Sequence, residues 1–478
     1  MDDFDFSLSD MKKARTHILN LIKPAIERKK QEAERKRQKN SMEKRVKILG
    51  AGLAGCEAAY FLAQRGVQVT LYEQKPVKFS PAHKNQNFAE LVCSNSLKSM
   101  REDSCQGMLK NEMKHFGSIV LEAAYECAVP AGGALAVDRD IFSEKITQKV
   151  KNHPNIKICY EEVTDIDTDQ LTIVATGPLT EGALYSKIKD MCGAGMSFYD
   201  AAAPIVMADS IDMNKVFAAS RYGKGDDDYL NCPFNKEEYE AFYDALVNAE
   251  RAELKSFEDD LTVYEGCMPV EVMAGRGADT LRYGPMRPVG LRDPRTGHRP
   301  WANVQLRCEN REKTMYNLVG FQTNLKWGEQ KRVFGMIPGL ENAQFVRYGV
   351  MHRNSFINSP VVLNNTLNLK EYPNVYFAGQ ITGMEGYTES SMCGLLAGYF
   401  VWCRLNETQP QIPALTTISG ALLNYITTPN KDFQPMGANM GILPPLENHI
   451  RDKRERYMAL SVRGKAAIEE IDLTVQEV

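Results

Sequence analysis

The run Val46-Lys47-Ile48-Leu49-Gly50-Ala51-Gly52-Leu53-Ala54-Gly55 limits what this chain can fold into more than any other stretch. An apolar strand meets a glycine-rich turn, and a helix candidate follows from Cys56 to Arg65. After Gly66 the alternation of Val67, Val69 and Leu71 reads as a second strand ending at Glu73. Strand, glycine turn, helix, strand and terminal acid in that order mark a Rossmann unit that holds a dinucleotide. Gly50 allows the tight turn, Gly52 lets backbone approach a pyrophosphate, and Gly55 lets helix and strand pack closely. The helix N-terminus then turns unpaired N–H groups and a positive dipole end toward the phosphates, and Ala51, Leu53 and Ala54 of the same run are further cofactor-binding candidates. Glu73 stands where a carboxylate accepts from ribose hydroxyls, roughly 20 residues on.

At 478 residues the chain exceeds one typical domain, so two or three are expected. A charged fraction of 25% beside 43% hydrophobic residues is ordinary for a globular protein, and no stretch is long and apolar enough for a membrane span. The 11 cysteines are scattered, with no C-x-x-C pair, which argues against zinc, iron–sulfur clusters and a disulfide framework. A reducing, cytoplasmic setting fits best, and no metal is expected. The net charge of -3 conceals an asymmetry: residues 1–41 carry 11 Lys and Arg against 7 Asp and Glu. That balance gives no global nucleic-acid footprint, so any RNA site must be a local patch.

Residues 1–41 read as a charged leader, disordered or helical, or as a basic arm touching RNA; its acids argue against a mitochondrial presequence. Residues 42–180 read as the first part of the dinucleotide-binding domain: strand, helix, strand, then a long polar stretch. Leu171–Gly177 is a buried strand ending in Thr-Gly, which returns the chain to the cofactor at Gly177. Residues 181–326, rich in tyrosine, read as an inserted substrate- or RNA-binding domain. Residues 327–407 complete the first domain through the strand Asn374–Phe377, then Ala378, Gly379, Gln380 and a small-residue helix containing Gly394 and Gly398. In flavoproteins such a strand, turn and helix bring N–H groups to the flavin's pyrimidine edge. Residues 408–478 form a helical tail. The fold class is therefore α/β, a Rossmann domain of the two-dinucleotide-fold type interrupted by an inserted α/β domain. No second complete fingerprint exists, so a nicotinamide cofactor would dock without its own Rossmann unit.

Several long strings are shared with one family. They are Gly50–Gly55, Phe88-Ala89-Glu90-Leu91-Val92-Cys93-Ser94-Asn95-Ser96-Leu97, Val129–Arg139, Tyr199–Val206, Glu265-Gly266-Cys267-Met268-Pro269, Tyr348–Asn354 and Phe377-Ala378-Gly379-Gln380. Through them the chain resembles the folate- and FAD-dependent tRNA (uracil-5-)-methyltransferases, known as TrmFO, from about Arg45 to about Ser461. It departs from the family in residues 1–41, at Cys56 (usually Ser), and over Arg101–Cys105. The resemblance implies FAD as cofactor, 5,10-methylenetetrahydrofolate as carbon donor, NADPH or NADH as reductant, and methylation of a T-loop uridine of tRNA at C5. A ribosomal RNA uridine is the alternative target. Two other readings stand beside it: a wobble-uridine modifying flavoprotein, and an FAD- and RNA-binding protein without catalysis. No obligate protein partner and no membrane are implied.

C5 of uracil is a poor nucleophile. A thiolate added at C6 turns the ring into an enolate whose C5 can attack an electrophilic carbon, and a base must then remove the C5 proton. Two thiols suit this need. Cys93 and Cys267 are the cysteines in shared strings, and either can be the one that adds to C6. Ser94, Asn95 and Ser96 follow Cys93 and read as a possible helix start, which would favour its thiolate. His352 and Arg353 are candidates for folate or flavin carboxylate and phosphate groups, or are a surface ion pair. Arg221, Tyr222 and Arg287 are candidates for RNA phosphates and stacking, or are solvated surface.

Overall fold

The computed structural model describes residues 44–80, 82–193, 196–223, 226–252, 268–431 and 433–473, with backbone alone at 196–201 and 352–353. The glycine-rich run folds as its pattern predicts. β1 (Arg45–Leu49) lies at the centre of a five-stranded parallel sheet with β2 (Gln68–Glu73), β6 (Ile156–Tyr160), β7 (Thr172–Val174) and β16 (Val375–Phe377). The order is β16-β7-β1-β2-β6. Consecutive parallel strands need a crossover, and the helix Leu53–Gln64 supplies the one between β1 and β2.

That helix is built of small residues because it is covered on a second side. The helix Tyr387–Leu405 crosses it with Gly394 against Ala54 and Gly398 against Ala58. A Cβ at Gly394 would stand 2.2 Å from the Ala54 carbonyl oxygen, so only glycine permits this approach. The small-residue helix expected after β16 thus exists to bring two backbones together.

The stretch read as long and polar is in fact well structured. It folds the helices Cys105–His115, Ile119–Glu126 and Arg139–Lys151, each started by a side-chain cap from Ser104, Ser118 or Asp138. It also forms a small antiparallel sheet of β3 (Ser96–Ser99), β4 (Ala128–Val129) and β5 (Ala134–Val137), in the order β3-β5-β4. This corrects the expectation of a helix opening at Ser94–Ser96: Ser96 pairs with Ala136 and Ser99 with Ala134, so Cys93 precedes a strand. The partner strand lies some forty residues downstream, out of reach of any local cue.

A second hydrophobic core draws on residues between Val206 and Ala343 and packs on a six-stranded antiparallel sheet. Its strands are β9 (Ile205–Met207), β10 (Phe217–Ala218), β11 (Tyr229–Phe234), β12 (Ala302–Cys308), β13 (Met315–Leu318) and β14 (Phe345–Arg347), ordered β10-β11-β12-β13-β9-β14. The helix Trp327–Phe334 adds Val333 and Phe334 to this core, which therefore extends past residue 326. β8 (Met196–Ala201) and β15 (Met351–Phe356) pair antiparallel as a two-stranded ribbon. The chain leaves the first lobe along β8 and returns along β15.

Candidate active site

The turn after β1 opens a cleft along the carboxyl ends of the parallel strands, where open α/β sheets place their ligands. Gly50 adopts φ +98°, and a Cβ there would meet Ala175 O at 2.6 Å. A Cβ at Gly55 would meet Gly50 O at 1.9 Å, so helix and turn touch through backbone. Nothing stands within 4 Å of the Cβ position of Gly52, which caps the helix without a side-chain hydrogen bond. The first-turn N–H groups there face open space, an anion site by construction. Ala51 N–H donates to Glu73 Oε2 at 3.0 Å and Lys75 N–H to Glu73 Oε1 at 2.9 Å. The two bonds fix the carboxylate while leaving it lone pairs for ribose hydroxyls. Gly177 (φ +75°) and Gly379 (φ +84°) line the same cleft, as do Leu53, Ala54 and Gln380. Gln380 is tied to Glu385 at 2.5 Å. A groove with bare helix N–H groups, a held carboxylate and glycine walls suits a dinucleotide such as FAD.

The far end of the cleft is closed by Tyr387, first residue of the helix that packs on Ala54. Its hydroxyl oxygen accepts from Cys93 N–H at 2.9 Å and Ser94 N–H at 3.1 Å, and lies 3.0 Å from Cys93 Sγ. With two N–H donors on the oxygen, the phenol's own proton is left to face the sulfur. Burial, and then the adjacent Cys93, push the Tyr387 phenol well above its ordinary range, so it keeps that proton at neutral pH. The structure thus sets one predicted thiol at the edge of the dinucleotide cleft, gripped by a tyrosine 294 positions away in sequence. Cys267 lies outside the described residues.

The second lobe leans on the same loop. Arg307, at the end of β12, donates to Asn95 Oδ1 (2.8 Å) and Ser94 Oγ (2.9 Å), and Asn95 Nδ2 donates to Cys308 O (3.1 Å). Glu309 meets Arg139 at 2.8 Å. Tyr229 donates to Ala131 O at 2.9 Å. The Cys93 loop is therefore a joint between the lobes as well as a wall of the cleft.

The remaining candidates are spread out. His352 and Arg353 lie on β15, opposite Asp200 and Tyr199 of β8, with side chains outside the described residues. The Arg221 guanidinium is used internally, donating to Gln305 Oε1 (2.8 Å) and Val289 O (2.9 Å). Tyr222 (φ +60°) is 59% exposed, with its ring over Gly290, and Arg287 is exposed nearby. Sequence reasoning missed Tyr387, Arg139, Arg307 and Glu309 as site residues. Arg139 closes one of the strings already picked out and Tyr387 opens the small-residue helix, but nothing local marks Arg307 or Glu309.

Residues 45–409 match the family described as glucose inhibited division protein A. The chain is 56% identical over 428 residues to the methylenetetrahydrofolate–tRNA-(uracil-5-)-methyltransferase TrmFO of Acetivibrio thermocellus, covering 89% of this chain and 98% of that one. The protein of the same name from Enterococcus faecalis is 56% identical over 426 residues, covering 88% and 97%. Among solved structures, GidA of Aquifex aeolicus in its form I crystal superposes with a TM-score of 0.65 at 16% identity, covering 90% of this chain and 76% of that one, which bears on the fold alone. Matched over 89% of its length, and carrying the glycine turn and the Cys93 loop in one cleft, the chain belongs to the TrmFO family within the glucose inhibited division protein A group.

Proposed function

We propose that this chain is a flavin-dependent RNA methyltransferase that makes 5-methyluridine in the T-loop of tRNA. It takes the carbon from 5,10-methylenetetrahydrofolate, with NADPH or NADH as the source of reducing equivalents, and works in the cytoplasm. The observation that carries this reading is the Cys93 thiol held 3.0 Å from Tyr387 Oη at the end of a dinucleotide cleft. It stands beside relatives named for the same reaction. Bound FAD, once reduced, supplies the electrons that bring the transferred carbon to the level of a methyl group.

The chain's own residues do the rest. Gly52 and the helix behind it receive the pyrophosphate, and Glu73 receives ribose hydroxyls. Tyr387 seals the cleft and aims the Cys93 sulfur. One of Cys93 and Cys267 adds as thiolate to uracil C6, C5 bonds to the donated carbon, the other takes the C5 proton as thiolate, the carbon's bond to its carrier nitrogen breaks as the reducing equivalents bring it to a methyl group, and the C6–sulfur bond then breaks to release the first thiolate. The second lobe presents the RNA, with Tyr222 and Arg287 exposed on its surface, Arg221 held beneath them by Gln305 and Val289, and His352 and Arg353 on the ribbon as supporting contacts. The wobble-uridine reading has less support, because the 56% identical relatives carry the uracil-5 name while the GidA likeness is one of fold.

The test is methylation of unmodified tRNA and of ribosomal RNA fragments side by side, with product mapping. 5-Methyluridine at the T-loop is expected, dependent on methylenetetrahydrofolate and NAD(P)H. Replacing Cys93 or Cys267 with Ala should keep FAD bound and abolish transfer; full activity in either variant removes that cysteine from the mechanism.

A further inference from the structure

A second cavity opens between the two lobes, lined by Glu90 and Leu91 just ahead of Cys93. The first lobe contributes Arg139, at the start of its helix, and the second contributes Arg347, at the end of β14. Arg139 is already paired: its Nε lies 2.8 Å from Glu309 Oε2, its Nη2 donates to Glu309 Oε1 at 3.3 Å and its Nη1 to Leu91 O at 3.0 Å, while Nε itself makes no hydrogen bond. Arg347 is half-buried, and among the described residues its guanidinium has no hydrogen bond and no ion pair. The groups in its electrostatic reach are Arg139, Tyr387, Cys93 and Glu309. Two guanidiniums therefore face a single carboxylate, which Arg139 already holds. Of the cavity's other carboxylates, Glu90 accepts from Lys84 and Asn85 N–H, Asp138 caps its helix and accepts from Arg311 N–H, Asp140 accepts from Asn85 Nδ2, and Glu312 is exposed to solvent. A partly desolvated guanidinium facing another cation is costly unless an anion joins them.

We propose that Arg347, backed by Arg139, receives the phosphodiester on the 5′ side of the uridine whose base reaches Cys93. The assignment rests on the RNA-methylating reading above and deepens it. In the usual anti conformation of a pyrimidine nucleotide, the C5–C6 edge lies over the sugar's 5′ side. A thiol that addresses that edge is then close to the nucleotide's own 5′-phosphate, and a cation beside the thiol fits this placement. The planar fork of Arg matches phosphate oxygens two at a time. Splitting the pair between lobes makes the phosphate a bridge, so that RNA draws the lobes onto the base.

The test is direct binding of a T-arm hairpin RNA, read by fluorescence anisotropy with the FAD-loaded protein. One RNA is native, and one carries a neutral methylphosphonate at the linkage 5′ of the target uridine. The wild type should bind the neutral RNA roughly tenfold more weakly. R347Q should bind native RNA roughly tenfold more weakly and no longer distinguish the two, and its log–log salt slope should fall by about 1. R347K should keep the discrimination. The assignment is overturned if R347Q still distinguishes the two RNAs, if it binds native RNA as the wild type does, or if it loses affinity for methylenetetrahydrofolate in place of RNA. Should R347Q lose its flavin, the wild type decides alone: equal affinity for both RNAs overturns the assignment. A wild type that binds the hairpin with this pattern yet transfers no methyl group would refute the methyltransferase reading and leave the phosphate site standing.

Discussion

A phenol oxygen that accepts from two consecutive backbone N–H groups is a clamp. Tyr387 does this for Cys93 and Ser94 and so fixes the loop on which the thiol rides. Y387F would strip both N–H groups of their acceptor and remove the proton that faces the sulfur. Loss of a preorganised donor of this kind costs about 100-fold in rate. We therefore expect single-turnover methyl transfer to fall by about that factor while the 450 nm flavin absorbance stays. Unchanged transfer in Y387F would make the tyrosine a packing residue only. Little of this clamp could be read in the sequence. Cys93 was legible from its string, but its partner is 294 positions away, and the three polar residues after it pointed to a helix that strand pairing with Ala134–Val137 overrides. The dinucleotide turn was legible because its parts are local: Gly50, Gly52, Gly55 and Glu73 act through backbone within one strand-helix-strand unit.

Among the elements, the contact of the helices Leu53–Gln64 and Tyr387–Leu405 bears most on the site, since one carries the phosphate-facing end and the other carries Tyr387. G394A would drive a methyl group into the Ala54 backbone, where a Cβ has 2.2 Å to the carbonyl oxygen. Overpacking against backbone costs about 3 kcal/mol. Thermal melts should show that loss together with reduced flavin content, and a variant as stable and yellow as the wild type would contradict the close approach. The same first helix buries Glu57, whose carboxylate accepts from Ser118 Oγ and from the N–H groups of Ile119 and Val120, at the start of the helix Ile119–Glu126. Burial pushes Glu57 up to about 8, and Glu112, which accepts from Ile418 and Ser419 N–H, up to about 7, against hydrogen bonds that pull both down. Both values lie above the unfolded value of about 4.3. The folded chain thus holds protons that the unfolded chain releases, and stability declines as pH rises from about 5 to about 8. The melting temperature should fall across that window, and the slope should be shallower in E57Q; an equal slope in E57Q would exclude Glu57 as a source.

At the scale of the molecule, two hydrophobic cores are joined by one β ribbon and a set of polar contacts centred on the Cys93 loop. The general layout, a Rossmann lobe with an insertion, followed from the order of strands and glycines. How the lobes dock did not, because Arg307, Glu309 and Tyr229 act on residues some hundred to two hundred positions away. Arg307 is the central contact: it is 8% exposed and bonds two side chains of the thiol loop. Hydrogen bonds to a charged group contribute about 1.5–3 kcal/mol each, and a joint of this size decides whether the lobes melt together. Trp301 and Trp327 of the second lobe are exposed and Trp402 of the first is buried, so the protection of the β11 and β12 amides against hydrogen exchange reports on the second lobe, and flavin release on the first. R307M keeps the length of the side chain and removes its charge and donors. Loss of amide protection in β11 and β12 on heating should move several degrees below its flavin-release transition, and methyl transfer should drop at least about tenfold with flavin content intact. If both transitions shift equally, or neither shifts, docking through the thiol loop does not couple the two cores, and the ribbon of β8 and β15 must carry that coupling alone.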